Sequence, residues 1–256
     1  MSIIGVTVND AAVNSQVTIQ QGVIGQPSAW EELIQSVKAG RYHSDYEVDE
    51  LIPISIGKFG GMYVRIVAMD ADEINGSQKK AALSFMLSMP LPDRKKMNPE
   101  RSKEAPEDGF FLPGTGAVDG WMACSLRKYL QEEVLPEFPQ IVRENIVPVL
   151  KTSRTFTAKS QIFDVMTADK LWIPSRREMF GPGLFTELTG PVYSEAFDDD
   201  ESRAMLDKDG DPLWWWLRSA SNYTGFNGVR TDGSGSYHSA NTEGGVVVGF
   251  CIGSGI

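Results

Sequence analysis

Nine residues near the C-terminus carry the side-chain types that recognise ligands: Ser221, Asn222, Tyr223, Phe226, Asn227, Arg230, Tyr237, His238 and Asn241. They fall within residues 219–242, where 14 of 24 positions are Ser, Gly, Asn or Tyr and none is Lys or Glu. Ser and Asn offer adaptable hydrogen bonds, and Tyr offers a rigid, amphipathic contact surface. Tyr223, Phe226, Tyr237 and Arg230 are the expected anchors, since aromatics and Arg dominate contact hot spots. An ordinary polar loop with Phe226 turned into the core is the competing reading of the same residues.

Other chemistries fit the sequence poorly. His238 could be paired with Ser236 or Asp232 as a nucleophilic site, but all three lie in one short hairpin with nothing to form an oxyanion hole. Asp207-Lys-Asp-Gly-Asp211 has carboxylates at calcium-loop spacing. An EF-hand, however, needs Gly at its sixth position and Glu at its twelfth, where this chain has Pro212 and Arg218. Asp198-Asp-Asp-Glu201 leaves calcium at an irregular acidic loop as the one cofactor to consider, with a solvated loop the simpler expectation. Gly114-Thr-Gly-Ala-Val-Asp-Gly120 has the wrong spacing for a dinucleotide loop and follows Pro113 instead of a clean strand. With only His43 and His238, a His-rich metal site is ruled out. No catalytic residue and no metal site are therefore expected.

The framework around the nine residues is apolar. Leu213-Trp-Trp-Trp-Leu-Arg-Ser219 precedes them and Gly244-Gly-Val-Val-Val-Gly-Phe-Cys-Ile252 follows, so a strand on each side should hold the polar segment. The tryptophans Trp214, Trp215 and Trp216, with Leu217, read as core packing, because a strand buried on both faces is apolar throughout. Further strands are expected over 225–231, near Tyr237 and over 245–252, with Asp232-Gly233 as a turn. In the 225–231 strand an inward Val229 puts Gly228 and Arg230 on the opposite face and Asn227 on its own.

Upstream, Ser28-Ala-Trp-Glu31 is a capping box opening a short helix, with Trp30, Leu33, Ile34 and Val37 on one face and Gly40 past its end. Strands are expected over 51–56, 62–69 and 81–87. A charged loop of nearly balanced sign covers 90–109. A helix capped by Asp119 should share Met122, Leu126, Tyr129 and Leu130 on one face and stop at Pro136, and a second should start at Pro139. Strands over 147–156 and 171–173 precede one or two helical turns over 175–180. Residues 1–27 read as extended, and 1–45 as an attachment element ahead of one domain over 46–256, with its recognition segment at 213–256.

The 256 residues carry a net charge of −10, which excludes nonspecific nucleic-acid binding. No apolar run approaches the roughly 18 residues of a membrane span, and the N-terminus has no secretory signal pattern. Cys124 and Cys251 are expected as two buried free thiols, with one disulfide the alternative.

Four blocks together carry a family likeness: Gly-Trp-Met-Ala-Cys-Ser-Leu-Arg-Lys-Tyr-Leu at 120–130, Lys-Leu-Trp-Ile-Pro-Ser-Arg-Arg-Glu-Met-Phe at 170–180, Trp-Trp-Trp-Leu-Arg-Ser at 214–219 and Gly-Val-Val-Val-Gly-Phe-Cys at 245–251. In this order the chain resembles, over about 50–256, an uncharacterised family of Firmicutes and their phages with a C-type-lectin-like fold. That fold group includes the variable proteins of diversity-generating retroelements. The ending Val-Val-Val-Gly replaces the Val-Arg-Pro form of bacterial members and is closer to the phage branch. The resemblance implies an α+β, C-type-lectin-like domain with short helices and a twisted, mainly antiparallel C-terminal sheet. It implies a non-enzymatic recognition protein in a phage virion, contacting a host cell-surface protein or glycan and other virion proteins, as a homo-oligomer with a trimer favoured. Bacterial cytoplasm or cell surface is the alternative location. A virion decoration or assembly protein is the alternative role. A formylglycine-generating-type oxidase, which uses a cysteine pair, is a more distant one.

Overall fold

The computed structural model describes residues 28–98, 120–156, 162–183, 186–222 and 225–253. The fold is α+β, with short helices and antiparallel sheets. Helix α1 (Ala29–Lys38) starts at the capping box: Ser28 accepts from the Glu31 amide and the Glu31 carboxylate accepts from the Ser28 amide. Its apolar face, Trp30, Leu33, Ile34 and Val37, is buried as the spacing predicts, and Gly40 follows at φ +68°. A single turn, α2 (Tyr42–Asp45), leads to β1 (Leu51–Ile56), whose alternate residues Ile52, Ile54 and Ile56 are buried.

Strands β2 (Gly60–Met69) and β3 (Leu83–Leu87) continue the sheet, and its last two members come from the distant C-terminal half: β6 (Leu171–Trp172) and β10 (Gly249–Ile252). The order is β1-β2-β3-β10-β6, antiparallel throughout. Strand alternation gives the sheet two different faces. Phe85 and Phe250 stack at 5.1 Å on the side where Trp30 and Phe138 pack over them. Their neighbours Ser84 and Cys251 meet the buried Asp72 on the other side. Helix α1 is thus packed on the main core through its apolar face, with Tyr42 half-buried against it, instead of belonging to the separate attachment element expected over 1–45; residues 1–27 lie outside the described residues.

The helical region departs from its expected register. Helices α3 (Gly120–Ala123) and α4 (Ser125–Tyr129) are separated by Cys124, which is extended and caps α4 through its sulfur. The break rotates Trp121 into the core and leaves Met122 39% exposed, opposite to the single continuous face expected. A π turn over Leu130–Val134 and a 3-10 turn at Pro136 end the segment, and α5 (Gln140–Asn145) starts after Pro139 as expected. Asp119 lies outside the described residues, as does part of the charged loop. Within the described part of that loop, Leu91 and Met97 are core residues and the Asn98 amide donates to the Ala240 carbonyl, which ties the loop to the domain.

Two smaller sheets complete the domain. β4 (Val149–Phe156) pairs with β5 (Ile162–Asp169), a strand the sequence reading did not anticipate. After α6 (Arg176–Phe180) and α7 (Asp200–Arg203), β7 (Trp215–Ala220), β8 (Gly225–Val229) and β9 (Gly235–Ser239) form the third sheet, with β8 central. Trp215, Trp216 and Leu217 are fully buried, as their all-apolar run predicts. β10 is shorter than the 245–252 strand expected. Among the described residues no helix is long and apolar enough to cross a membrane.

Candidate functional site: a cleft with two guanidinium groups

Beneath the third sheet lies a buried cluster of charges. Lys151 of β4 is fully buried, with its ammonium 2.6 Å from Asp72 Oδ1, 3.0 Å from Glu178 Oε1 and 2.7 Å from the Tyr193 hydroxyl. The Trp172 ring centre lies 3.4 Å from the same nitrogen, a cation–π contact in a dry environment. Arg218 of β7 grips Glu178 through two nitrogens at 2.5 and 2.8 Å and spends its other donors on the Ile173 and Thr152 carbonyls. Burial opposes ionisation of Glu178, but the Arg218 and Lys151 charges overcome it and hold the carboxyl at about 2. Burial and the Asp72 carboxylate push the Tyr193 phenol well above its usual value, so it stays a donor to Asp72. Every charge here is paired, and none is open to a ligand.

Glu178 also closes the capping box of α6: Ser175 accepts from the Glu178 amide and Glu178 Oε2 accepts from the Ser175 amide at 2.7 Å. The Arg176 amide donates to Ser219 Oγ at 2.7 Å and the Arg177 amide to Glu187 Oε2 at 3.1 Å, which moors the first turn of α6 on β7. Glu187 is itself buried and also accepts from the Arg154 amide and the Ser219 hydroxyl. With its first turn fixed in this way, α6 projects the Arg176 side chain into a cleft.

That cleft has a volume of about 290 Å³. It is lined by Arg154 and Phe156 from the end of β4, Ile162 from β5, Arg176 from α6, Ala220 and Ser221 at the end of β7, and Asn227, Gly235, Ser236 and Tyr237 from β8 and β9. Among the described residues, two guanidinium groups and no carboxylate line it. Arg154 is committed to Asp164, 3.4 Å away. Arg176 makes one side-chain hydrogen bond, to Asn227 Oδ1 at 3.4 Å, and lies over the Phe180 ring at 5.0 Å. Half-burial pulls its pKa below the ordinary guanidinium value, and Glu187 counteracts this. The Ser221 hydroxyl oxygen is buried with no hydrogen-bond partner.

The nine residues singled out from the sequence do not form one surface. Ser221, Asn227 and Tyr237 meet in the cleft, and Tyr237, 69% exposed, stands at its mouth. Asn227 is buried there, sharing the face of Val229 as alternation predicts, and its amide nitrogen donates to the Ser219 and Ala220 carbonyls. Asn222 sits half-buried at the turn between β7 and β8. Tyr223 lies outside the described residues.

Phe226 corrects the expectation most clearly. It is fully buried, because β8 is the central strand and both its faces are covered. It is core, not an anchor. Phe226→Ala should cost about 3–5 kcal/mol of stability by cavity formation; urea unfolding checks this, and an unchanged midpoint would return Phe226 to the surface.

Arg230 is exposed just beyond β8 and Asn241 in the turn after β9, both away from the cleft lining. His238 stacks on the half-buried Trp214 at 3.8 Å, with Nε2 3.3 Å from Ser236 Oγ. Burial first, and Arg230 second, push its pKa below 6.5, so the ring is neutral at pH 7. The sequence reading missed Arg154, Phe156, Ile162 and Arg176. The Ser175-Arg-Arg-Glu178 capping signature was there to place Arg176 in a first helical turn, though not to say what it faces.

No group of three or more His, Cys, Asp or Glu among the described residues is placed to hold a metal. Asp207 Oδ1 instead accepts from the amides of Asp209 and Asp211. Both cysteines are buried free thiols, as expected, and burial raises Cys124 to about 12 and Cys251 well above its usual value. Thiols held in that state are poor nucleophiles.

Residues 116–254 match a protein family described as a domain of unknown function, DUF6273. The chain belongs to the DUF6273 family. The matched segment contains the whole cleft lining and, of the charge cluster, Lys151, Glu178, Tyr193 and Arg218. Asp72 and strands β1 to β3 come before it, so the DUF6273 segment completes its sheet with residues from the N-terminal half. No curated protein and no solved structure matches the chain.

Proposed function

We propose that this chain is a non-enzymatic recognition domain of C-type-lectin-like fold that holds its ligand in the cleft beside Tyr237. One observation carries the reading: on a chain of net charge −10, a ring-sized cleft is lined, among the described residues, by two guanidinium groups, polar side chains and an exposed aromatic, with no carboxylate. Concave sites with apolar walls and a few convergent polar groups are the usual form of small-ligand sites. The return of the C-terminal strand to an interior position of the main sheet, between β3 and β6, with the three-stranded sheet as an excursion before it, supports the lectin-like reading. In the setting that the resemblance implies, the domain is a phage virion component that contacts the host surface. A trimer there would turn weak single-site affinity into firm adhesion.

The test is binding of the full chain to a panel of Firmicutes cells. Tyr237→Ala should weaken binding at least tenfold without loss of stability, since the side chain is largely exposed and aromatic contacts of this kind dominate interfaces. Arg230→Ala, away from the cleft, should bind as wild type. Binding lost with Arg230 but kept without Tyr237 would move the contact surface to the turn after β8. Binding to no cells, with loss of virion assembly in the Tyr237 variant, would favour the decoration role.

A further inference from the structure

The cations of this domain differ in how they are satisfied. Lys151, Arg154, Arg203 and Arg218, all buried, each reach a carboxylate. Arg176 does not: no carboxylate lies within 4.0 Å of it among the described residues, and a neutral amide oxygen is its one side-chain acceptor. A half-buried guanidinium presents five donors in a rigid fork that matches a carboxylate, and leaving most of them without an acceptor is costly. Arg176 is also held in place. Asn227 is fixed by its two bonds to the Ser219 and Ala220 carbonyls, which aims its oxygen at Arg176, and the Phe180 ring supports the guanidinium from the side. Ser221 adds a buried hydroxyl without a partner.

Resting on the recognition reading above, we infer that the cleft takes a single carboxylate on a small polar ring, the chemistry of an acidic sugar ending a surface glycan, and that Arg176 is the group that engages it. The rest of the lining fits such a ring. Tyr237, Phe156 and Ile162 offer apolar surface for a ring face, while Ser221 and Asn227 offer hydrogen bonds to hydroxyls. The volume of about 290 Å³ stands at the lower end for ligand sites and suits one ring instead of a chain. Because Asp164 pairs with Arg154, Arg176 is, among the described lining residues, the one guanidinium without an ion pair, which matches a monoanion better than a phosphate dianion.

Gly235 provides a second handle on the same group. A Cβ there would lie 2.9 Å from Arg176 Nη1 and 3.2 Å from Nη2, atoms at the free end of a flexible side chain. Gly235→Ala should therefore shift the guanidinium while β9 keeps its pairing.

The test titrates the full chain calorimetrically with glucuronic acid and N-acetylneuraminic acid, against their methyl esters and inorganic phosphate. At least one acid should bind saturably and at least tenfold more tightly than its ester, as a charge-assisted, two-point contact implies. Arg176→Gln should abolish the difference between acid and ester, and Gly235→Ala should reduce it at an unchanged melting temperature. Equal affinity for acid and ester, phosphate binding as tightly as either acid, or no acid binding at millimolar concentration would overturn the carboxylate assignment. If cell binding still depends on Tyr237 in that case, the recognition reading stands and only its ligand class has failed. If Tyr237→Ala leaves cell binding unchanged, the recognition reading at this cleft fails instead.

Discussion

Lys151→Met is expected to lower the unfolding free energy by about 3–5 kcal/mol, the usual cost of removing one partner of a buried ion pair. The ammonium is enclosed by Asp72, Glu178, Tyr193 and the face of Trp172, and its own residue is fully buried. Without it Asp72 keeps the hydroxyls of Tyr193 and Ser84 and the Cys251 thiol, all neutral, and a carboxylate in that environment lacks a counter-charge. Glu178 is better protected, since Arg218 still grips both its oxygens. The double variant Lys151→Met/Asp72→Asn should therefore recover a large part of the loss, because it removes the orphaned charge. The pH dependence has a fixed sign. The Glu178 pKa is depressed in the folded chain to about 2, so its contribution is complete above about 4.5 and is lost as pH falls through about 2. Losing Lys151 raises that folded pKa toward its ordinary value, so stability should fall less steeply between pH 4.5 and 2 in the variant than in the wild type. Urea unfolding across that range measures both effects. An unfolding free energy within about 0.5 kcal/mol of wild type would show that the cluster is not a dry, paired assembly.

What could be read in the sequence divides along physical lines. Local signals were sufficient wherever local interactions decide the outcome. The Ser28 capping box and the 3.6-residue spacing of Trp30, Leu33, Ile34 and Val37 specify α1, and the alternation from 51 to 56 specifies β1. Strand positions around Asp232-Gly233 were legible for the same reason. The helix after 120 was not, because the break at Cys124 comes from packing Trp121 against the buried Asp169, a partner 48 residues away. Strand β5 was hidden because its apolar residues fall on both faces, with Ile162 and Met166 exposed. The candidate site was half legible. Composition found Ser221, Asn227 and Tyr237, but alternation says only which residues share a face, not whether that face is covered. Phe226 was misjudged for that reason, and Arg176 was overlooked because its role arises from the docking of α6 on Ser219 and Glu187, long-range contacts with no local signature.

Gly249→Ala is expected to cost at least about 2 kcal/mol, at the upper part of the range for overpacked cores. Gly249 sits in β10 between Met86 of β3 and Trp172 of β6. A Cβ at this position would lie 2.3–2.5 Å from three carbons of the Trp172 ring, far inside any contact distance. The ring has no room to withdraw, since the Lys151 ammonium occupies its centre at 3.4 Å and Tyr193 stands 6.1 Å away. The glycine in the Gly-Phe-Cys ending is thus required by a close approach of backbone and indole, not by an unusual backbone angle. Trp172→Leu alone should also destabilise, by about 3 kcal/mol or more, through the cavity and the lost cation–π contact. In combination with Gly249→Ala the two losses should fall short of their sum by at least about 1 kcal/mol, because the smaller side chain makes room for the new methyl. Additive losses would mean that the ring and the glycine do not meet. A non-additive result would join β10 of the main sheet, through one indole ring, to the charge cluster that anchors α6 and thereby sets the position of Arg176.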